Sequence, residues 1–221
     1  MPARMARRAK FITFEGLEGC GKTTQIRAVE KHFRKIGKKV LATREPGGTD
    51  LGNELRSLLL MQRKEPLSSW AELFLMEAAR AQHYTHVLRQ ALDTYDLVLC
   101  DRFTDATLAY QGGGRGLDPK TIELLNEKAA PGCRPDLTLF LDLEPRQALK
   151  RALTRMSASG GVREDRFENE ELAFHTRVRE TYLDIARREP KRLCVVDAVG
   201  SPETITSTLI SRICERLSLP P

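Results

Sequence analysis

Residues Gly16-Leu17-Glu18-Gly19-Cys20-Gly21-Lys22-Thr23 spell G-x-x-x-x-G-K-T directly after a short apolar run at 11–14. No other feature constrains the chain as strongly. Glycines at this spacing let successive backbone N–H groups curl inward around an anion, and a helix starting at the lysine turns its positive end toward the same point. A lysine here reaches the β- and γ-phosphates of a nucleoside triphosphate, and the next hydroxyl is available to Mg²⁺. Residues 16–23 therefore read as an ATP-binding loop, with Lys22 catalytic and Thr23 a metal ligand. The loop works only between a buried strand and a helix, which makes an α/β architecture the expectation.

Four further apolar runs, at 40–43, 97–100, 137–141 and 193–196, match strands buried on both faces of a parallel sheet. Segments with helical spacing lie between them. Residues 23–36 carry Ile26, Val29, Phe33 and Ile36 at three- and four-residue intervals and stop at Gly37. Helices are also expected over 70–92, 170–188 and 202–217. The pattern predicts a doubly wound fold with five parallel strands, which binds its ligands at the carboxyl ends of the strands. Two stretches break it: Gln111-Gly112-Gly113-Gly114-Arg115-Gly116 reads as a glycine-rich loop, and 156–165 as a small, polar, flexible segment flanked by arginines. With no repeat and no linker, residues 1–221 are expected to form a single domain.

After the third strand the chain continues Asp101-Arg102. A carboxylate at this point, near the phosphate loop, is placed to hold the water shell of Mg²⁺. The adjacent guanidinium can fork onto phosphate oxygens. An ion pair capping the strand is the alternative reading.

Charge and cysteine content narrow the partners. The net charge of +6 is dispersed, its densest run being Arg4, Arg7, Arg8 and Lys10 at the N-terminus, and only 6% of residues are aromatic. Neither a basic stripe nor a stacking platform for nucleic acid is expected. Five widely spaced cysteines without a CxxC pair indicate neither a disulfide framework nor a zinc site, and Cys100 and Cys194 read as core residues. No run approaches the roughly 18 apolar residues of a membrane span. Residues 11–15 are too short and polar for a signal peptide, so a cytoplasmic enzyme is expected.

These pieces, with their neighbours, resemble the thymidylate kinase family. The matching text is FEGLEGCGKTTQ at 14–25, TREPGGT at 43–49, LRSLLL at 55–60, AELFLMEAARAQH at 71–83, DRFTDATLAYQGGGRG at 101–116, RPDLTLFLD at 134–142 and DRFE at 165–168. The segments fall in the family's order and cover most of the chain. The resemblance implies a P-loop NTPase fold, ATP and deoxythymidine monophosphate (dTMP) as substrates, Mg²⁺ as cofactor, a small mobile lid at about 150–167 and a homodimer packed through long helices.

The resemblance also implies roles. Glu18 would accept a hydrogen bond from the acceptor's 3′-hydroxyl, and a cis peptide at Glu45-Pro46 would shape the acceptor pocket. Arg56 and Arg102 would hold the 5′-phosphate, Arg80 would bond the thymine carbonyl, Thr107 would face the ring edge, Tyr110 would crowd the 2′ position, and Gln111 would lie near the base. Gly19 stands where some members carry a P-loop arginine. The catalytic arginines are therefore expected in the lid, which offers Arg151, Arg155, Arg163 and Arg166, with Arg155 and Arg166 assigned. Two positions depart from the pattern: Met76 replaces the usual aromatic residue under the base, and Ala106 replaces a serine. Rival readings are a P-loop kinase for another monophosphate or for a deoxynucleoside, and a non-catalytic module that binds ATP or nucleic acid.

Overall fold

A computed structural model of the chain describes residues 9–158 and 170–220, and for 155–158 the backbone alone. Its centre is a five-stranded, all-parallel sheet in the order β2-β3-β1-β4-β5. The strands are β1 (Lys10–Glu15), β2 (Val40–Arg44), β3 (Leu97–Asp101), β4 (Leu137–Asp142) and β5 (Leu193–Asp197), each within about two residues of an apolar run in the sequence. The central strands are buried along nearly their whole length because helices cover both faces of the sheet.

Helix α1 (Lys22–Lys35) buries Ile26, Val29 and Phe33 and ends in a Schellman motif: Gly37 N–H donates to Arg34 O at 3.0 Å and Lys38 N–H to Phe33 O at 3.0 Å. Thr49 caps α2 (Asp50–Leu60) and Ser68 caps α3 (Ser69–His83), each side chain accepting a backbone N–H of the first turn. Beyond α3 the helix runs on through a π-helical turn (Tyr84–Leu88) into α4 (Arg89–Thr94). Next come α5 (Thr104–Thr107), α6 (Pro119–Ala129), α7 (Pro145–Ala158), α8 (Leu172–Arg188) and α9 (Pro202–Leu217). All five cysteines are free thiols, four of them buried.

The glycine-rich stretch departs from expectation. From α5 the chain continues as a π-helix (Leu108–Gly114) instead of opening into a loop. Its glycines serve close approach. A Cβ on Gly114 would sit 2.5 Å from the Phe174 ring of α8, and one on Gly113 1.9 Å from Thr181 Oγ1. Arg177 of α8 closes the contact by donating to the Gly114 carbonyl at 2.9 Å. Read along the chain, three glycines look like a flexible break; packed against α8, they are a helix shaved thin.

Candidate active site

One cleft opens at the carboxyl ends of β1, β2 and β3. The phosphate loop forms one wall. Gly16, Gly19 and Gly21 all have positive φ, and a Cβ on Gly19 would meet Ala148 O at 2.2 Å, so the tight turn has no room for a side chain there. Leu17 and Cys20 are buried behind the loop, while Glu18, Gly19, Gly21, Lys22 and Thr23 line the cleft. Lys22 Nζ lies over the loop and donates to Gly16 O at 2.9 Å and Leu17 O at 3.1 Å.

Asp101 and Arg102 do not form the ion pair that the dipeptide alone allowed. Arg102 has φ of 69°, a left-handed conformation costly for an arginine and characteristic of functional sites. Buried Glu15 steadies this turn: its Oε1 accepts Phe103 N–H at 2.8 Å and its Oε2 accepts the Tyr182 hydroxyl at 2.7 Å. So aimed, Arg102 Nη2 donates to Glu18 Oε1 at 2.5 Å and reaches the Tyr110 hydroxyl at 3.0 Å, while its guanidinium lies 4.6 Å from the Tyr110 ring centroid. Burial disfavours the Glu18 charge, but Arg102 and Lys22 outweigh it and hold the carboxyl below its ordinary range. Among the described residues, buried Arg102 Nη1 and Asp101 Oδ1 have no hydrogen-bond partner, and both side chains line the cleft. Such orphaned groups suit a ligand that brings both anionic oxygens and a cation.

The opposite wall is built around Arg80, on α3 and only 3% exposed. Its Nε donates to Glu45 at 2.8 Å, Nη1 to Glu77 at 2.8 Å and to Asn126, and Nη2 to Thr107 at 2.9 Å. Of the five N–H groups of a guanidinium, this leaves one, on Nη2, for a ligand. Burial alone would lower the Arg80 pKa, yet Glu45 and Glu77 raise it, so the charge is permanent. Met76, Thr107, Tyr110 and Gln111 line the same wall, and Arg56 and Pro46 close it; Arg56 Nη1 donates to Pro46 O at 3.2 Å. The Glu45-Pro46 peptide is cis. Gln111 is fixed by its bond to buried Glu72 at 2.6 Å. Phe74 points elsewhere: it is 55% exposed and packs on Trp70, so Met76 alone occupies the position of the expected aromatic.

Most residues assigned from sequence to substrate or metal thus border one cleft; Gly16, Leu17 and Cys20 of the loop do not line it. The other exceptions are in the lid: the Arg155 side chain, Arg163 and Arg166 lie outside the described residues, while Arg151 donates to Ala198 O at 3.1 Å. Glu15, Glu77, His83 and Asn126 stand outside the phosphate-loop motif and the Asp101-Arg102 pair; Glu15, His83 and Asn126 matter through partners distant in the chain, and Glu77 through Arg80 one turn on. Thr24, Arg44, Leu60 and Phe103 complete the lining.

A thymidylate kinase family model matches residues 14–209. The chain is 47% identical to a thymidylate kinase of Geotalea uraniireducens over 209 residues, covering 93% of this chain and 98% of that protein. It is 49% identical to one from Syntrophotalea carbinolica, with 95% and 97% covered. The crystal structure of thymidylate kinase from Ehrlichia chaffeensis superposes with a TM-score of 0.74 at 31% identity, covering 93% of this chain and 98% of that one.

Proposed function

The chain belongs to the thymidylate kinase family, and on that premise we propose how it carries a phosphoryl group from ATP to dTMP, giving dTDP. One observation carries the reading: a single cleft has a phosphate loop on one wall and an almost saturated, buried arginine with one spare N–H on the other. The loop's backbone N–H groups and Lys22 hold the triphosphate. Arg102 and Arg56 hold the acceptor's 5′-phosphate, Glu18 and Tyr110 the deoxyribose, and Arg80, Thr107, Gln111 and Met76 the base.

The acceptor's second phosphate pKa is about 6, so its attacking oxygen is already largely ionised at neutral pH and no general base is needed. The obstacle is the approach of two polyanions in line. Lys22 and Arg102 offset that repulsion and stabilise the charge spread over the transferring group. Arg155 and Arg166, in the segment assigned as a lid from sequence, are proposed to do the same, and that segment would exclude water as a competing acceptor.

The donor set suits Mg²⁺. Among the described residues no three His, Cys, Asp or Glu side chains gather to cage a metal, whereas Thr23 and the orphaned Asp101 oxygen border the phosphate loop. Magnesium commonly takes one or two protein ligands and completes its shell with water and phosphate. Thr23 and Asp101 would hold it, and it would supply charge neutralisation between the β- and γ-phosphates.

A homodimer is also proposed. Helices α2 and α3 pack together and expose Leu51, Leu58, Trp70 and Phe74. Among the described residues no helix is long and apolar enough to cross a membrane, and a cytoplasmic location is proposed. The test of function is ADP release with dTMP, dUMP, dCMP and thymidine as acceptors. Preference for dTMP is expected; phosphorylation of thymidine itself, or no turnover with any monophosphate, would overturn the assignment.

A further inference from the structure

We propose that His83 is a positioning residue of the acceptor site: acting through Glu45, it sets the orientation of the Arg80 guanidinium. This rests on the base-reading role given to Arg80 above. His83 is fully buried one turn after Arg80 on α3 and does not line the cleft, so it touches no substrate. Its Nδ1 lies 2.9 Å from Glu45 Oε1, and its Nε2 lies 2.7 Å from the Thr43 hydroxyl of β2. A carboxylate only accepts, so Nδ1 is the donor. The ring fills the space beside Gly48, where a Cβ would approach it within 2.7 Å.

The two oxygens of Glu45 are thereby divided. His83 claims Oε1, and Oε2 is left for Arg80 Nε. Fixing one oxygen fixes the plane of the carboxylate, and that plane dictates where the guanidinium fork lies. Glu77, Asn126 and Thr107 hold the fork at its other end, and Phe103 lies under it at 5.3 Å from ring centroid to guanidinium carbon. Without the histidine the carboxylate can turn and take Nε with it, and the spare N–H no longer meets the base. Positioning of this kind commonly carries a ten- to hundredfold effect on ligand binding at metal sites, and a similar order is expected here.

Two substitutions separate positioning from simple support. An asparagine amide can stand in for imidazole Nδ1 and keep the Glu45 bond; a glutamine amide reaches the Nε2 position and keeps the Thr43 bond instead. KM for dTMP and for ATP, kcat and the melting temperature are measured for His83→Gln, His83→Asn, Arg80→Ala and the double variant His83→Gln/Arg80→Ala. His83→Gln should raise the dTMP KM on the order of tenfold while the ATP KM stays within about twofold. His83→Asn should recover most of that loss, and in the Arg80→Ala background the glutamine effect should vanish. Equal behaviour of the two variants, a parallel rise in both KM values, or persistence of the effect without Arg80 would overturn the proposal. If Arg80→Ala raises the dTMP KM and His83→Gln does not, the proposal alone fails. If Arg80→Ala leaves that KM unchanged, base reading by Arg80 fails and the proposal with it.

Discussion

Glu15 ends β1 one residue before the phosphate loop, and its carboxyl group is wholly buried. Burial first, and the nearby Asp105 carboxylate second, push its pKa up to about 8 from 4.5, against the pull of Arg102. The folded protein therefore holds a proton on Glu15 that the unfolded chain releases above about pH 4.5. By linkage, the stability associated with that proton is complete below pH 4.5 and is lost as pH rises toward and through 8. Glutamine keeps the shape and the acceptor for Phe103 N–H without the ionisation. Thermal unfolding of wild type and Glu15→Gln should coincide most closely near pH 4.5, with the variant gaining steadily on the wild type up to about pH 8 and the gap then widening more slowly. Parallel melting curves across that range would mean that Glu15 is ionised when folded. At the same scale, the left-handed turn at Arg102 explains why this carboxyl is worth burying: it holds Phe103 N–H, and with it the turn that aims the Arg102 guanidinium into the cleft.

The π-helix Leu108–Gly114 packs along α8 and carries Tyr110 and Gln111 into the cleft. Gly114 lies tight against the Phe174 ring, so Gly114→Ala must displace a buried aromatic or bend the helix. Overpacking of this kind costs about 1–3 kcal/mol, or roughly 2–12 °C of melting temperature for a chain this size. Phe174→Leu in the same protein should restore part of the loss, and a Gly114→Ala protein that melts with the wild type would refute the tight contact. This element also marks where sequence stops being legible. All five strands and the phosphate loop are readable because each is defined by contiguous residues: a buried strand is a short apolar run, and a loop that cradles phosphate needs its glycines at fixed spacing. The wall around Arg80 is not readable that way. Arg80, Glu45, Thr107 and Asn126 come from α3, the end of β2, α5 and α6, and only folding makes them neighbours. Their spacing carries no signal, and Arg80 and Tyr110 were recognisable through family resemblance alone. Within α3, the three-residue step from Arg80 to His83 was a usable clue, since it puts both on one helical face.

Helix α3 joins the site to the surface of the whole molecule. One face presents Met76 and Arg80 to the cleft; another exposes Trp70 and Phe74, 44% and 55% accessible, their rings tilted against each other with centroids 5.9 Å apart. Leu51 and Leu58 on α2, seven residues apart and thus on one stripe, are also exposed. Solvent-exposed aromatic and aliphatic side chains on two packed helices are what an association surface supplies as its anchors. A second copy meeting this face would stiffen the helix that carries Arg80, and so would tie oligomeric state to the proposed acceptor binding. In sedimentation at micromolar concentration the wild type should run at twice the chain mass, and Phe74→Glu, which places a charge on the exposed apolar face, should run at the chain mass. Because Phe74 faces away from the cleft, the dissociated variant should keep its ATP KM and lose dTMP affinity by a few-fold at most. A wild type that sediments as a single chain would remove the homodimer. Dimers that survive Phe74→Glu would move the contact to another face and leave the exposed aromatic pair without a role in association.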